Sequence, residues 1–153
     1  MSYIISGIQQ IGIGVTNVET AWEWYRRAFG MDVPVFQEAA EAPFMTRYTG
    51  GKVQSRNAVL AINLAGGGGF EIWQYTSRTP VGPAREPRLG DIGIFAGVMK
   101  SKDVGEAYER LAGLGAAVDR PAPGPDGVNR FFARDPGGNL FRITPAEEWF
   151  TNP

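Results

Sequence analysis

The chain has 153 residues, 43% of them apolar, and a formal net charge of −1 from fifteen basic and sixteen acidic side chains. That length and apolar share suit one compact domain or two small modules sharing a core, and the even charge leaves no excess to neutralise a phosphate backbone, so no nucleic-acid partner is expected. There is no histidine and no cysteine, and the lack of cysteine excludes disulfides, thiolate nucleophiles and thiolate metal sites.

The start, Met1-Ser2-Tyr3-Ile4-Ile5, lacks the basic region and apolar run of a secretory signal. No stretch approaches the roughly 18 apolar residues that span a bilayer. A soluble cytoplasmic protein with no membrane partner is the expectation.

The first strand is expected near residues 6–15, with Ile11, Ile13 and Val15 as its buried stripe and Gln10, Gly12 and Gly14 on the other side. Asn17 then offers a helix cap, and Val18, Ala21, Trp22, Tyr25, Ala28 and Phe29 recur at helical spacing until Gly30. Trp22, Trp24 and Tyr25 read as core or dimer-interface residues. Further strands are expected near 31–37, 44–49 with 56–64, and 69–76. Gly66 to Gly69 leads into a strand and not a helix, so it reads as a hairpin turn and not a phosphate cradle. In Gly69-Phe70-Glu71-Ile72-Trp73-Gln74-Tyr75, alternation sets Phe70 and Ile72 toward the helix and Glu71, Trp73 and Tyr75 on the opposite face.

Thr79 to Leu89 carries Pro80, Pro83 and Pro87 and reads as a connector. The pattern then repeats: a strand near 91–100, a helix opening on Asp103 with Val104, Ala107, Tyr108, Leu111 and Leu114 in its stripe, Gly115 at its end, and strands near 116–121, 129–134 and 139–145. Pro121 to Gly127, with three prolines and two glycines, reads as a loop without a regular element. Asp135-Pro136-Gly137-Gly138-Asn139 reads as a turn, and Asp135 is given no catalytic role. In the strand after it, Phe141 and Ile143 face the helix and Arg142 the other side. The tail Pro145 to Pro153 suits a short docked helix or the stub of a longer parent chain.

Both halves therefore read β-α-β-β-β, an α+β chain with a first module over 1–78, a proline-rich connector over 79–90, and a second module with the tail over 91–153. This duplication, together with Asp135-Pro136-Gly137-Gly138-Asn139-Leu140-Phe141-Arg142-Ile143-Thr144, resembles the vicinal-oxygen-chelate superfamily of glyoxalases, bleomycin-resistance proteins and extradiol dioxygenases, from Ile8 to about Thr144. The resemblance implies curved mixed sheets around a cavity, helices outside, frequent homodimers, and up to four metal ligands on the first and last strands of the modules. At those positions stand Gln10, Glu71, Arg142 and, depending on the strand register of the second module, Asp91 or Ala96. Arg142 occupies the place of a usual metal-binding glutamate, and a guanidinium neither coordinates nor tolerates a cation beside it.

The leading expectation is metal-free binding of a small, partly aromatic or carboxylated molecule by Gln10, Glu71, Trp73, Tyr75 and Arg142, without a cofactor. Whether a reaction is catalysed stays open. A metal-dependent lyase, isomerase or dioxygenase would use Gln10, Glu71 and Asp91 as ligands, and a metal-free enzyme would use Glu71 as base and Arg142 as oxyanion stabiliser. Glu71 and Arg142 could also pair as a structural salt bridge. A regulatory or scaffold domain with a vestigial cavity is the third alternative.

Overall fold

The computed structural model describes residues 8–146 and shows an α+β chain of two units, β-α-β-β-β and a second with one further short strand, that divide between Gly82 and Pro83. In the first, β1 (Gln10–Gly14) leads into α1 (Val18–Phe29), followed by β2 (Val33–Glu41), a 3-10 helix (Pro43–Tyr48), β3 (Ser55–Ile62) and β4 (Gly69–Tyr75). The sheet order is β1-β4-β3-β2, with β1 parallel to β4 and the other pairs antiparallel.

Local chemistry fixes α1 at both ends. The Asn17 side chain accepts the Thr20 N–H at 2.9 Å, and the Gln74 side-chain oxygen accepts the Val18 N–H at 3.0 Å, so a first-turn amide is satisfied from β4 and the helix is tied to the sheet. At the far end Gly30 takes φ 64. A Cβ there would lie 2.8 Å from Asn63 Nδ2, the same amide that donates to the Phe29 carbonyl at 2.9 Å, so both dihedral and space require glycine. The apolar stripe buries Tyr25, Ala28 and Phe29 with Val59, Phe70 and Ile72. Phe70 meets Tyr25 edge-on at 5.1 Å and Phe29 at 5.9 Å.

The second unit contains β5 (Gly97–Ser101), α2 (Val104–Gly113), β6 (Ala117–Val118), β7 (Ala122–Pro123), β8 (Asn129–Arg134) and β9 (Leu140–Pro145). Its order is β5-β9-β8-β6, with β7 also pairing β8. Asp103 caps α2 by accepting the Glu106 N–H at 2.9 Å. Leu111, Phe131, Phe141 and Ile143 are buried, and Tyr108 of α2 meets Phe131 edge-on at 5.7 Å.

Four expectations are corrected. Residues 44–49 are not a strand: Pro43 opens a 3-10 turn in which the Met45 N–H reaches the Ala42 carbonyl at 3.1 Å, leaving Phe44 and Tyr48 exposed. The strand expected over 31–37 is longer and later, Val33–Glu41, because a bulge between Pro34 and Phe36 absorbs the proline on a sheet edge. The strand expected over 91–100 begins only at Gly97, since Ile92-Gly93-Ile94 lies in a turn where Gly93 has φ 128 and both isoleucines are exposed. Finally, Pro121 to Gly127 does hold a regular piece, β7, whose Pro123 is accommodated on the outer edge of β8. The helix expected in the tail falls mostly on residues 147–153, outside the described residues.

Candidate functional site

Cross-strand register defines the face of the first sheet turned away from α1. Gly12 pairs with Glu71 and Gly14 with Trp73, while Leu60, Ala58 and Arg56 of β3 stand beside Glu71, Trp73 and Tyr75. Phe36 and Glu38 of β2 continue the row. Alternation thus brings Gln10, Glu71, Trp73 and Tyr75 to one face, all of them half-buried. The Gln10 amide donates to the Glu71 carboxylate. Trp73 and Tyr75 meet edge-on at 5.9 Å.

Arg56 organises the middle of this face. Its guanidinium lies 4.6 Å from the Trp73 ring centroid and 5.9 Å from that of Phe36, and it is ion-paired to Glu38. Stacked and neutralised in this way, it braces the indole from the β3 side. Arg78, just past β4, lies 5.5 Å from the Tyr75 ring centroid. The opposite, β1 side is bare: a Cβ at Gly12 or Gly14 would meet nothing within 4 Å.

The second sheet has a cationic counterpart of different character. Arg142 stands on β9 between Val98 of β5 and Phe132 of β8, on the face opposite buried Phe141 and Ile143. Arg130 and Arg134 share that face through alternation along β8, but each already has a carboxylate, Asp126 and Glu86 respectively. Arg142 differs. Among the described residues no carboxylate of its own unit pairs with it, whereas its half-burial and its shielded, unpartnered Nε are shared with Arg130.

Asp91 stands elsewhere. Its carboxylate forks with Arg85 at 2.8 and 2.9 Å and accepts the Arg88 N–H at 2.8 Å. The Arg85 guanidinium, helped by that backbone N–H, holds the Asp91 carboxyl below the ordinary aspartate range. Val98 pairs with Arg142 as Gly12 pairs with Glu71, so two residues back along each strand Ala96, and not Asp91, is the counterpart of Gln10. A cleft of about 370 Å³ lies among Arg85, Arg88, Phe95 and Arg134. Two of its three cations are already paired to carboxylates, and the chemistry singled out above lies on the sheets instead.

With the duplicated topology and this register established, comparison with known proteins decides the family. A family model described as the Glyoxalase/Bleomycin resistance protein/Dioxygenase superfamily matches residues 7–143. The chain belongs to this superfamily. No curated protein sequence matches it. Among solved structures, a glyoxalase family protein from Bacillus cereus is 15% identical with a TM-score of 0.75, covering 94% of this chain and 95% of that one. An antibiotic-binding protein from a Streptomyces species is 19% identical with a TM-score of 0.59, covering 95% and 100%. The fosfomycin resistance protein of Listeria monocytogenes is 17% identical with a TM-score of 0.53, covering 94% of each chain. At these identities the likeness shows the fold.

The glyoxalase-type metal positions can be tested against this chain's own donors. Glu71 and the Gln10 amide oxygen supply lone pairs; Ala96 and Arg142 supply none, and Arg142 adds a positive charge. Among the described residues no group of three or more acidic side chains forms a metal-holding cluster. Within the first unit these positions offer two oxygen donors, and within the second none. Among the described residues, no helix is long and apolar enough to cross a membrane. Arg56 was not singled out by sequence reasoning. The available signal was a charged residue two positions before buried Ala58 on a strand whose neighbours Trp73 and Phe36 are aromatic.

Proposed function

We propose that this chain binds a small planar molecule bearing an anionic or strongly electron-rich group, without a metal. The observation that carries this reading is Arg142: a half-buried guanidinium between Val98 and Phe132 that no carboxylate of its own unit neutralises among the described residues, where an incoming carboxylate or enolate oxygen gains a charge-assisted bond. On the first sheet, Trp73 and Tyr75 offer flat apolar surface of the kind on which planar molecules stack. The bare strip at Gly12 and Gly14 favours a usable face over one filled by its own side chains.

Two expected results follow. Arg142→Ala should weaken benzoate by about tenfold or more, the loss of a hydrogen bond to a charged group, while benzyl alcohol changes little; equal losses for both probes, read by calorimetry, would remove the anchoring role. Titration with Zn²⁺, Mn²⁺ or Ni²⁺ should leave the melting temperature unchanged, because only an ion bound by the folded state stabilises it. A stabilising, stoichiometric metal would overturn the metal-free reading.

A further inference from the structure

Among the described residues, no cation of its own unit is ion-paired to Glu71 on the face of the first sheet turned away from α1. Its neighbours there are Gly12 and Leu60, neither of which can donate from a side chain, and one oxygen accepts from the uncharged Gln10 amide. Arg56, the nearest cation by register, is committed to Glu38 and stacked on Trp73. A carboxylate offers about four lone-pair sites, so Glu71 retains acceptor capacity on a half-buried face.

The space beside it has a definite form. Gly12 and Gly14 leave β1 without side chains alongside the Glu71-Trp73 column, both glycines are exposed, and neither has a positive φ. Their conformation therefore does not require glycine; what glycine provides here is room. Two aromatic residues of this face already hold planar cations, Arg56 of β3 on Trp73 and Arg78 on Tyr75. Among the described residues of the first unit, no such group lies on the β1 side.

From the trough, the acid at its wall and the rings beside it, we infer that the first sheet receives a planar cation with N–H donors, of the amidinium or protonated ring-nitrogen class. It lies over Gly12 and Gly14 and donates to Glu71. Gln10 holds the Glu71 carboxylate toward it. This inference rests on the binding role proposed above and adds to it an oppositely charged recognition element on the first sheet.

Benzamidine and benzoate, titrated separately and followed by protein NMR, test it. Benzamidine should bind wild type, and Glu71→Gln should weaken it by about tenfold or more while leaving benzoate within about twofold, as loss of one charge-assisted bond requires. Gly12→Val should abolish benzamidine binding with a melting temperature equal to or above wild type, since the strand gains a β-branched residue and its Cβ meets no neighbour. Benzamidine binding unaffected by Glu71→Gln, or benzoate binding with no benzamidine binding at all, would overturn the inference and leave the Arg142 reading standing. Failure of both probes would overturn both.

Discussion

Phe70→Ala is expected to destabilise the protein by about 3–5 kcal/mol, the range for removing a fully buried aromatic side chain. Phe70 is 2% exposed and lies on β4, an interior strand of its sheet, so the cavity left behind would be closed off by α1 on one side and the sheet on the other. Its edge-on contacts with Tyr25 and Phe29 each add about 0.5–1.5 kcal/mol beyond burial. Against a typical total of about 5–15 kcal/mol, this places the variant near the limit of folding. Urea unfolding followed by circular dichroism measures the loss, and Phe70→Leu, which keeps most of the apolar volume, should lose clearly less. A midpoint close to wild type for Phe70→Ala would mean that α1 does not pack on this residue. The prediction bears on function because Phe70 and Glu71 are consecutive: the packing that buries one is what turns the other outward.

That coupling explains what the sequence disclosed. The helices were legible because their signals are local: Asn17 and Asp103 as caps, Gly30 and Gly115 as ends, and apolar residues at a 3.6 period between them. Strand faces were legible for β4 and β9 because period-two alternation in Phe-Glu-Ile and Phe-Arg-Ile survives without knowledge of partners. Family resemblance then placed these strands in order. The failures share a physical cause. Pro43 redirected an apolar, strand-like run into a 3-10 turn, and Ile92-Gly93-Ile94 imitated Ile11-Gly12-Ile13 while lying in a turn. In both, hydrophobic pattern alone could not report whether a ladder partner existed.

Register settled what pattern could not. Opposing Asp91 and Ala96 gave different chemistry, and the β5–β9 ladder puts Ala96 in the position equivalent to Gln10. Arg56 was illegible for the complementary reason: its role depends on Trp73 and Phe36, seventeen residues after it and twenty before, which only strand pairing brings alongside. Glu71 and Arg142 were visible as odd charges in apolar strands. Their engagement, Gln10 on one and an unsatisfied Nε on the other, was not.

Asp135→Ala is expected to cost about 2–3 kcal/mol, since it removes a buried charged acceptor and strands the donors it served. Asp135 is 6% exposed. Its two carboxylate oxygens accept the Asn139 N–H at 2.7 Å and the Asn139 side-chain amide at 2.8 Å, while its carbonyl takes the Gly138 N–H at 3.0 Å and its N–H reaches the Asn139 carbonyl at 3.1 Å. The turn is therefore held by the aspartate side chain from within and by Gly138, at φ 86, from the backbone. Asp135→Asn keeps the shape and one acceptor but opposes two amide groups, so it should fall between wild type and alanine. Thermal unfolding ranks the three. If alanine matches wild type, Pro136 and Gly138 alone set the turn. If it loses stability as expected while the folded fraction still binds benzoate, then Asp135 serves the entry to β9 and takes no part in the recognition proposed for Arg142, two residues after the strand begins at Leu140.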